Sequence, residues 1–384
     1  MRRNDFPHCT ETGDSWLLTP GPLTTSASVK RAMGHDWGSR DADFLAMVDE
    51  TRRALAAMAN GGEAFAAVLL QGSGTYAVEA MLTTLVPRDG KLLVLVNGAY
   101  GRRAARICDC AGRAYAVHET PEDAPPAAAD VAAVLAADPA ITHVFAVHCE
   151  TTSGILNPLA EIAEAVRAAG RRLLVDAMSS FGALPLDVRG LPCEAVAASS
   201  NKCLEGVPGL GFVIARRDAL AAAADNAASL CLDLCEQEKG LAGNGQFRFT
   251  PPVQVVAALH QALREHAAEG GVAARGARYR ANCDRLVAGM RALGFETMLA
   301  DAVQAPIIVT FRLPRDPGFV LAEFHRRVKE KGYVLYPGKL TAEESFRIGC
   351  IGHIAPDRID GALAAIAAAL AEMGVRTPLG RTGQ

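Results

Sequence analysis

Lys202 stands in Ser199-Ser200-Asn201-Lys202-Cys203-Leu204-Glu205-Gly206-Val207-Pro208-Gly209. The apolar run Ala195-Val196-Ala197-Ala198 precedes it, and a second, Gly211-Phe212-Val213-Ile214-Ala215, follows. That places the lysine at a strand end, partly withdrawn from water. Desolvation lowers the pKa of an ammonium and leaves a neutral amine, which is a nucleophile. A lysine that forms a Schiff base needs this setting. The same segment also reads as a lysine in a solvated turn.

Other strand ends supply further groups. Gln71-Gly72-Ser73-Gly74-Thr75 lies between an apolar strand and a helical pattern, so the helix N-terminus and the Ser73 and Thr75 hydroxyls make an anion site. It equally reads as a glycine turn before a helix, and Gly72-x-Gly74-x-x-Ala77 is a loose dinucleotide fingerprint. The next strand, however, ends in Val96-Asn97-Gly98, with no acid to hold a ribose, and no Gly-Lys-Ser/Thr is present. Asp176 ends Leu173-Leu174-Val175 and is either a helix cap or the partner of a cationic ring nitrogen. Glu150-Thr151-Thr152-Ser153-Gly154 and Asn97-Gly98-Ala99-Tyr100-Gly101 follow two more strands and add hydroxyls and an aromatic ring. Arg347, in Ser345-Phe346-Arg347-Ile348-Gly349, is either a bidentate carboxylate ligand or half of a structural ion pair. An anion cradle, a ring to stack on, a carboxylate and an amine, taken together, match the needs of pyridoxal 5′-phosphate.

The elements that must hold these groups are legible in the apolar pattern. Strands are predicted at 66–70, 91–96, 142–147 and 172–175, with two more marked by Val196 and Phe212. Helices are predicted at 76–86, from near Arg102, and at 159–169. This alternation predicts an α/β fold with a mostly parallel sheet between helices, and ligands bind such sheets at the carboxyl ends of the strands. Asp176 and Lys202 are one strand step apart and could face one cleft. Beyond Pro251-Pro252 come helices at 255–268 and 273–293, strands at 307–311, 333–335 and 345–348, and helices at 319–331 and 357–373. We therefore expect an N-terminal arm (1–20), a large domain (21–268) and a smaller α+β domain (269–384).

Composition excludes several classes. The 384 residues are 50% hydrophobic, with 39 basic and 42 acidic side chains, so no polyanion-binding surface is indicated and no nucleic acid is expected. No window approaches the length of a membrane helix, and Met1-Arg2-Arg3-Asn4-Asp5-Phe6 lacks the apolar stretch of a secretory signal. The ten cysteines form no metal pattern, so no metal is expected; reduced thiols in a cytoplasmic protein fit them better.

With these residues in view, the chain resembles the class V, fold-type I pyridoxal-phosphate aminotransferases over nearly its whole length. The marks are Leu17-Leu18-Thr19-Pro20-Gly21-Pro22, Leu69-Leu70-Gln71-Gly72-Ser73-Gly74, the Asn97–Gly101 stretch, Val175-Asp176-Ala177-Met178-Ser179-Ser180-Phe181-Gly182, Ser200-Asn201-Lys202-Cys203, Gly206-Val207-Pro208-Gly209, Arg248-Phe249-Thr250 and Phe346-Arg347-Ile348-Gly349. Asn-Lys-Cys with Gly-Val-Pro-Gly resembles the phosphonate branch rather than the alanine–glyoxylate enzymes. The resemblance implies a seven-stranded sheet and amine exchange between 2-aminoethylphosphonate and pyruvate; the alternative is serine–pyruvate or alanine–glyoxylate exchange. It implies Lys202 as the Schiff-base lysine, Asp176 against the ring nitrogen and Tyr100 stacked on the ring. Ser73, Gly74 and Thr75 would hold the phosphate, with Asn201 beside them, and Thr151 would reach the ring hydroxyl. Thr250 would act from the second subunit of a homodimer, and Arg347 would bind the substrate carboxylate. Arg40 and Arg248 are weaker candidates for an anion, and the His35–Arg40 loop is where substrate choice could differ.

Overall fold

Leu92–Val96 and His143–Val147 are buried along their whole length, alternate side chains pointing to opposite faces. Continuous apolar runs of this kind require a sheet covered on both sides. The computed structural model, which describes residues 9–336 and 342–379, contains that sheet. Its strands, in chain order, are β1 (Trp16–Leu18), β2 (Phe65–Gln71), β3 (Lys91–Val96), β4 (Ala114–Glu119), β5 (Ile141–Val147), β6 (Cys149–Glu150), β7 (Ile155–Leu156), β8 (Arg172–Asp176), β9 (Ala195–Ser199), β10 (Leu210–Arg216), β11 (Ile308–Arg312), β12 (Tyr333–Leu335) and β13 (Ser345–Gly349). The helices are α1 (Ala27–Ala32), α2 (Ala42–Met58), α3 (Gly74–Leu85), α4 (Ala99–Ala111), α5 (Ala128–Ala137), α6 (Leu159–Ala168), α7 (Arg217–Ala222), α8 (Leu234–Gly243), α9 (Val253–Glu269), α10 (Gly271–Ala292), α11 (Leu321–Glu330) and α12 (Pro356–Glu372).

Seven strands form the main sheet in the order β2-β10-β9-β8-β5-β3-β4. From β9 to β4 every pair is parallel, and only β10 runs against its neighbours. The carboxyl ends of β2, β3, β5, β8 and β9 therefore share one edge, where βα turns gather ligand-binding groups. α3 packs on β9 and β10, α4 on β3 and β5, and α6 on β8. This first core runs from Phe44 to Leu263.

A second core joins α10, α11 and α12 to the antiparallel pair β11–β13. Trp16–Leu18, within the expected arm, pairs in parallel with β12 and buries Leu18 in this second core; residues 1–8 of that arm lie outside the described residues. Between the two cores lies a small cluster that includes Leu23, Cys203, Tyr279 and Ile351.

Candidate active site

Asp176 is the last residue of β8, and β9, its parallel neighbour, leads into the turn that carries Lys202. Lys202 is partly buried, and its Nζ donates to the Gly21 carbonyl at 3.2 Å. Gly21 has φ +117°, a left-handed conformation that favours glycine, and a Cβ there would lie 2.6 Å from Lys202 Cδ. Burial lowers the Lys202 pKa to about 8; Asp176 pulls it back up, while Arg103 and Arg347 push it further down. Asp176 is itself buried, and burial raises its carboxyl to about 6, opposed by the Met178 N–H, which donates to Oδ1 at 2.8 Å. One Asp176 oxygen thus closes a turn rather than capping a helix, and the carboxyl group lies close enough to act on the Lys202 amine.

Ser73 caps α3 through its backbone, and its side chain makes no capping bond, so the hydroxyl and the helix N-terminus are free to meet an anion. Thr75 Oγ1 accepts from Arg103 Nη1 at 3.2 Å. Arg103 also lies over the Tyr100 ring, 4.8 Å from its centroid, one helical turn along α4. Asn201, beside Lys202, accepts the Ser199 hydroxyl at 3.0 Å. Burial raises the Tyr100 hydroxyl pKa, and a hydrogen bond with Thr151 opposes it.

Beneath Tyr100 lies Glu150, fully buried. Its carboxylate accepts from Thr152 Oγ1 (2.6 Å), Thr152 N–H (3.0 Å) and Tyr100 N–H (3.2 Å). The last of these is one of the unpaired donors that begin α4. Burial nonetheless keeps the Glu150 pKa above its ordinary value.

Arg347 occupies the middle of β13, opposite Thr310 of β11, and is only 1% exposed. Nη1 donates to the Thr151 carbonyl at 2.6 Å, and the guanidinium sits 4.6 Å from the Tyr336 ring centroid. Nε and Nη2 are buried with no partner among the described residues. Two adjacent unfilled donors on a planar fork present the complement of a carboxylate.

Lys202, Asp176, Tyr100, Thr151 and Arg347 thus share one electrostatic neighbourhood, with Ser73, Gly74 and Thr75 joined to it through Arg103. Thr250 is not drawn in: it is exposed in the connection between α8 and α9. Arg248 donates to the Leu230 carbonyl at 2.8 Å, and Arg40 is exposed on its loop. Asn97, where a dinucleotide fold would want an acid, donates to Asn157 Oδ1 at 2.8 Å. Among the described residues no group of His, Cys, Asp and Glu side chains could hold a metal. Sequence reasoning missed Arg103 and left Glu150 without a role. The spacing Tyr100-x-x-Arg103, one turn apart, was the available signal for the first.

Residues 24–330 match the family model described as "Aminotransferase class-V". The 2-aminoethylphosphonate–pyruvate transaminase of Pseudomonas fluorescens (strain Pf0-1) is 56% identical over 359 residues, covering 94% of this chain and 97% of its own. That of Pseudomonas aeruginosa (strain UCBPP-PA14) is 55% identical with the same coverage of both chains. Among solved structures, a pyridoxamine–pyruvate aminotransferase from Mesorhizobium loti superposes with a TM-score of 0.86 at 25% identity, covering 96% of this chain and 95% of that one. An alanine–glyoxylate aminotransferase from Nostoc sp. gives 0.85 at 24% identity, with 93% and 95% covered.

Proposed function

Since the chain belongs to the class V aminotransferases, we propose that it transfers the amino group of 2-aminoethylphosphonate to pyruvate. The products are phosphonoacetaldehyde and L-alanine, formed in two half-reactions on one site. The choice of substrates rests on the identity to the Pseudomonas transaminases. The chemistry rests on one observation: a partly buried amine in the turn after β9 and a buried carboxyl group at the end of the adjacent β8, each displaced towards its neutral form.

The cofactor we assign is pyridoxal 5′-phosphate, and the residues present fit it. Asp176 is a buried acid with no cation of its own paired to it among the described residues, as a ring-nitrogen partner should be. Ser73, Gly74 and Thr75 offer a helix N-terminus and two hydroxyls to the phosphate, with Arg103 and Asn201 alongside. Tyr100 supplies a stacking face, and Thr151 a hydroxyl for the ring oxygen. When bound, the cofactor withdraws electrons from the substrate carbon and stores the amino group between half-reactions.

The protein's own groups do the rest. Lys202 Nζ would hold the cofactor, and its amine would take the proton from the substrate carbon beside nitrogen and hold it for delivery. Asp176, ionised at neutral pH, keeps a proton on the ring nitrogen. The open Nε and Nη2 of Arg347 bind the carboxylate of pyruvate and alanine. The donor has no carboxylate, so the same two donors would receive two phosphonate oxygens. Buried thiols such as those of Cys149 and Cys203 support a cytoplasmic setting, and no helix among the described residues is long and apolar enough to cross a membrane. We place a second copy of the chain against Thr250, completing the phosphate site across a homodimer.

The test is parallel assay of 2-aminoethylphosphonate, serine and alanine as donors, with pyruvate or glyoxylate as acceptor. We expect kcat/KM for 2-aminoethylphosphonate to exceed the others by roughly 100-fold or more, as the identity to the Pseudomonas transaminases implies; serine and alanine also carry a carboxylate that Arg347 can bind, so the discrimination has to come from groups other than that arginine. Comparable rates with serine, or with alanine and glyoxylate, would move the assignment to that branch. Lys202→Ala should abolish turnover with every donor; normal turnover would remove the lysine from the chemistry.

A further inference from the structure

Lysine is a long side chain with four rotors, so the precision of its amine depends on the backbone that carries it. The Lys202 turn is held from within by Glu205 N–H to the Lys202 carbonyl and Gly206 N–H to the Ser200 carbonyl, both 2.8 Å. It ends in a strained residue: Glu205 has φ +59°, the left-handed region that non-glycine residues rarely adopt. Glu205 is also 3% exposed, deep under the turn. Tyr279 hydroxyl donates to its carboxylate at 2.6 Å and Arg278 Nη2 at 2.7 Å. Burial would raise its pKa, but His353 first, then Arg275 and Arg278, and last the Tyr279 hydroxyl, hold it at about 2.

The same side chains reach further. Arg275, 1% exposed, donates from Nη1 to the Cys203 carbonyl at 2.6 Å, the residue next to Lys202. Arg278 Nη1 donates to the Gly352 carbonyl at 2.6 Å, and the Gly352 N–H donates to the Tyr279 hydroxyl at 3.2 Å. Gly352 lies three residues beyond the end of β13, the strand of Arg347. The following residue, His353, donates its backbone N–H to Thr24 at 2.8 Å, in the segment whose Gly21 carbonyl receives Lys202 Nζ. One face of α10 thus grips the lysine turn and the extension of the arginine strand at once.

We propose that Glu205 is a positioning residue that keeps the Lys202 amine in register with the Arg347 guanidinium, through Arg275, Arg278 and Tyr279 on α10. Glu205 and Glu269 face Arg275 and Arg278, with His353 Nδ1 3.7 Å from Glu205, in a largely buried cluster of charges. Buried ion clusters are poor sources of net stability, because desolvation offsets most of the attraction. What this one supplies is a fixed distance between two groups on different cores. The inference rests on the transaminase reading, in which Lys202 serves both half-reactions and Arg347 binds the oxo acid.

Glu205→Gln keeps the shape of the side chain and removes its charge. Holoenzyme of this variant, studied well below its melting temperature, should bind the cofactor as the parent does. Single-turnover rates of the amine-donating and amine-accepting halves should fall together, by roughly ten-fold, and KM for pyruvate should rise. A purely structural role would lower the melting temperature and leave these rates in place. Tyr279→Phe removes only the hydroxyl link and should shift the same quantities in the same direction by a few-fold. Rates within about two-fold of the parent in the folded variant, or a loss confined to one half-reaction, would overturn the proposal. If Glu205→Gln does not fold, Tyr279→Phe decides alone. Failure of the parent with 2-aminoethylphosphonate would instead count against the substrate, and the same comparison would then run with whichever donor is active.

Discussion

Lys202 and Asp176 each lose hydration on folding, and their titrations record it with opposite signs. The unfolded lysine keeps its proton to about 10.5, whereas the folded one releases it near 8. Between those values the unfolded chain binds more protons, so the lysine's contribution to stability rises with pH and its burial penalty is complete below about 8. Asp176 has a folded pKa raised to about 6 from 3.8, so its contribution is full below 3.8 and is lost as pH rises through 6. Cofactor-free protein near neutral pH therefore bears both penalties. Lys202→Met, stripped of cofactor, should melt above the equally stripped parent near pH 7, by at most about 3 kcal/mol in stability. The advantage should shrink as pH approaches 10. Thermal unfolding followed by circular dichroism at both pH values checks this; equal melting temperatures near pH 7 would mean that the lysine is hydrated in solution.

The helices that deliver the site begin on groups far away in sequence. α4 starts over the Glu150 carboxylate, some fifty residues downstream, which accepts the Tyr100 N–H where a local cap would normally serve. Gly98 makes that approach possible: a Cβ on it would overlap the Glu150 carboxyl group. Gly98→Ala should therefore displace the first turn of α4, with Tyr100 and Arg103 on it. We expect a loss of about 1–3 kcal/mol in stability and weaker retention of the cofactor, read from its visible absorbance after dialysis. Unchanged retention would separate the α4 start from the cofactor site. This distant cap also explains what could be read in advance. The helix was expected from near Arg102, yet it begins at Ala99, because no cap residue marks its start locally. Tyr100 is legible as an aromatic plate, but with the helix expected only from near Arg102 the one-turn spacing Tyr100-x-x-Arg103 goes unread. Strands buried on both faces were legible within a residue at each end, and 91–96 to the residue. β4 was not, since it is a half-exposed edge strand whose only apolar run is the short Ala114-Tyr115-Ala116-Val117. Arg347 was visible as an arginine between apolar neighbours; that two of its donors stand open depends on Thr151 and Tyr336, which only the fold brings near.

At the scale of the whole molecule, one expected contact lies apart from the others. Thr250 is exposed beside Phe249, itself 42% exposed, while the cradle it was expected to complete is formed by α3. The homodimer proposed above would reconcile the two, because a twofold dimer places the same surface of each subunit against the other. The arrangement can be tested by complementation. Lys202→Ala removes the amine of its own subunit. Thr250→Asp sets a negative charge against the phosphate that this threonine would contact. Neither homodimer should turn over appreciably. In a mixed dimer, if Thr250 acts across the interface, one site combines both defects and the other has neither. Unfolding and refolding equal amounts of the two variants together should then restore about a quarter of parental activity, since half of the dimers are mixed and each has one sound site. If Thr250 serves its own subunit, every site in the mixture carries one defect and no activity returns. If Thr250→Asp alone is fully active, the threonine does not touch the phosphate from either side, and the cradle is complete with Ser73, Gly74, Thr75 and Arg103.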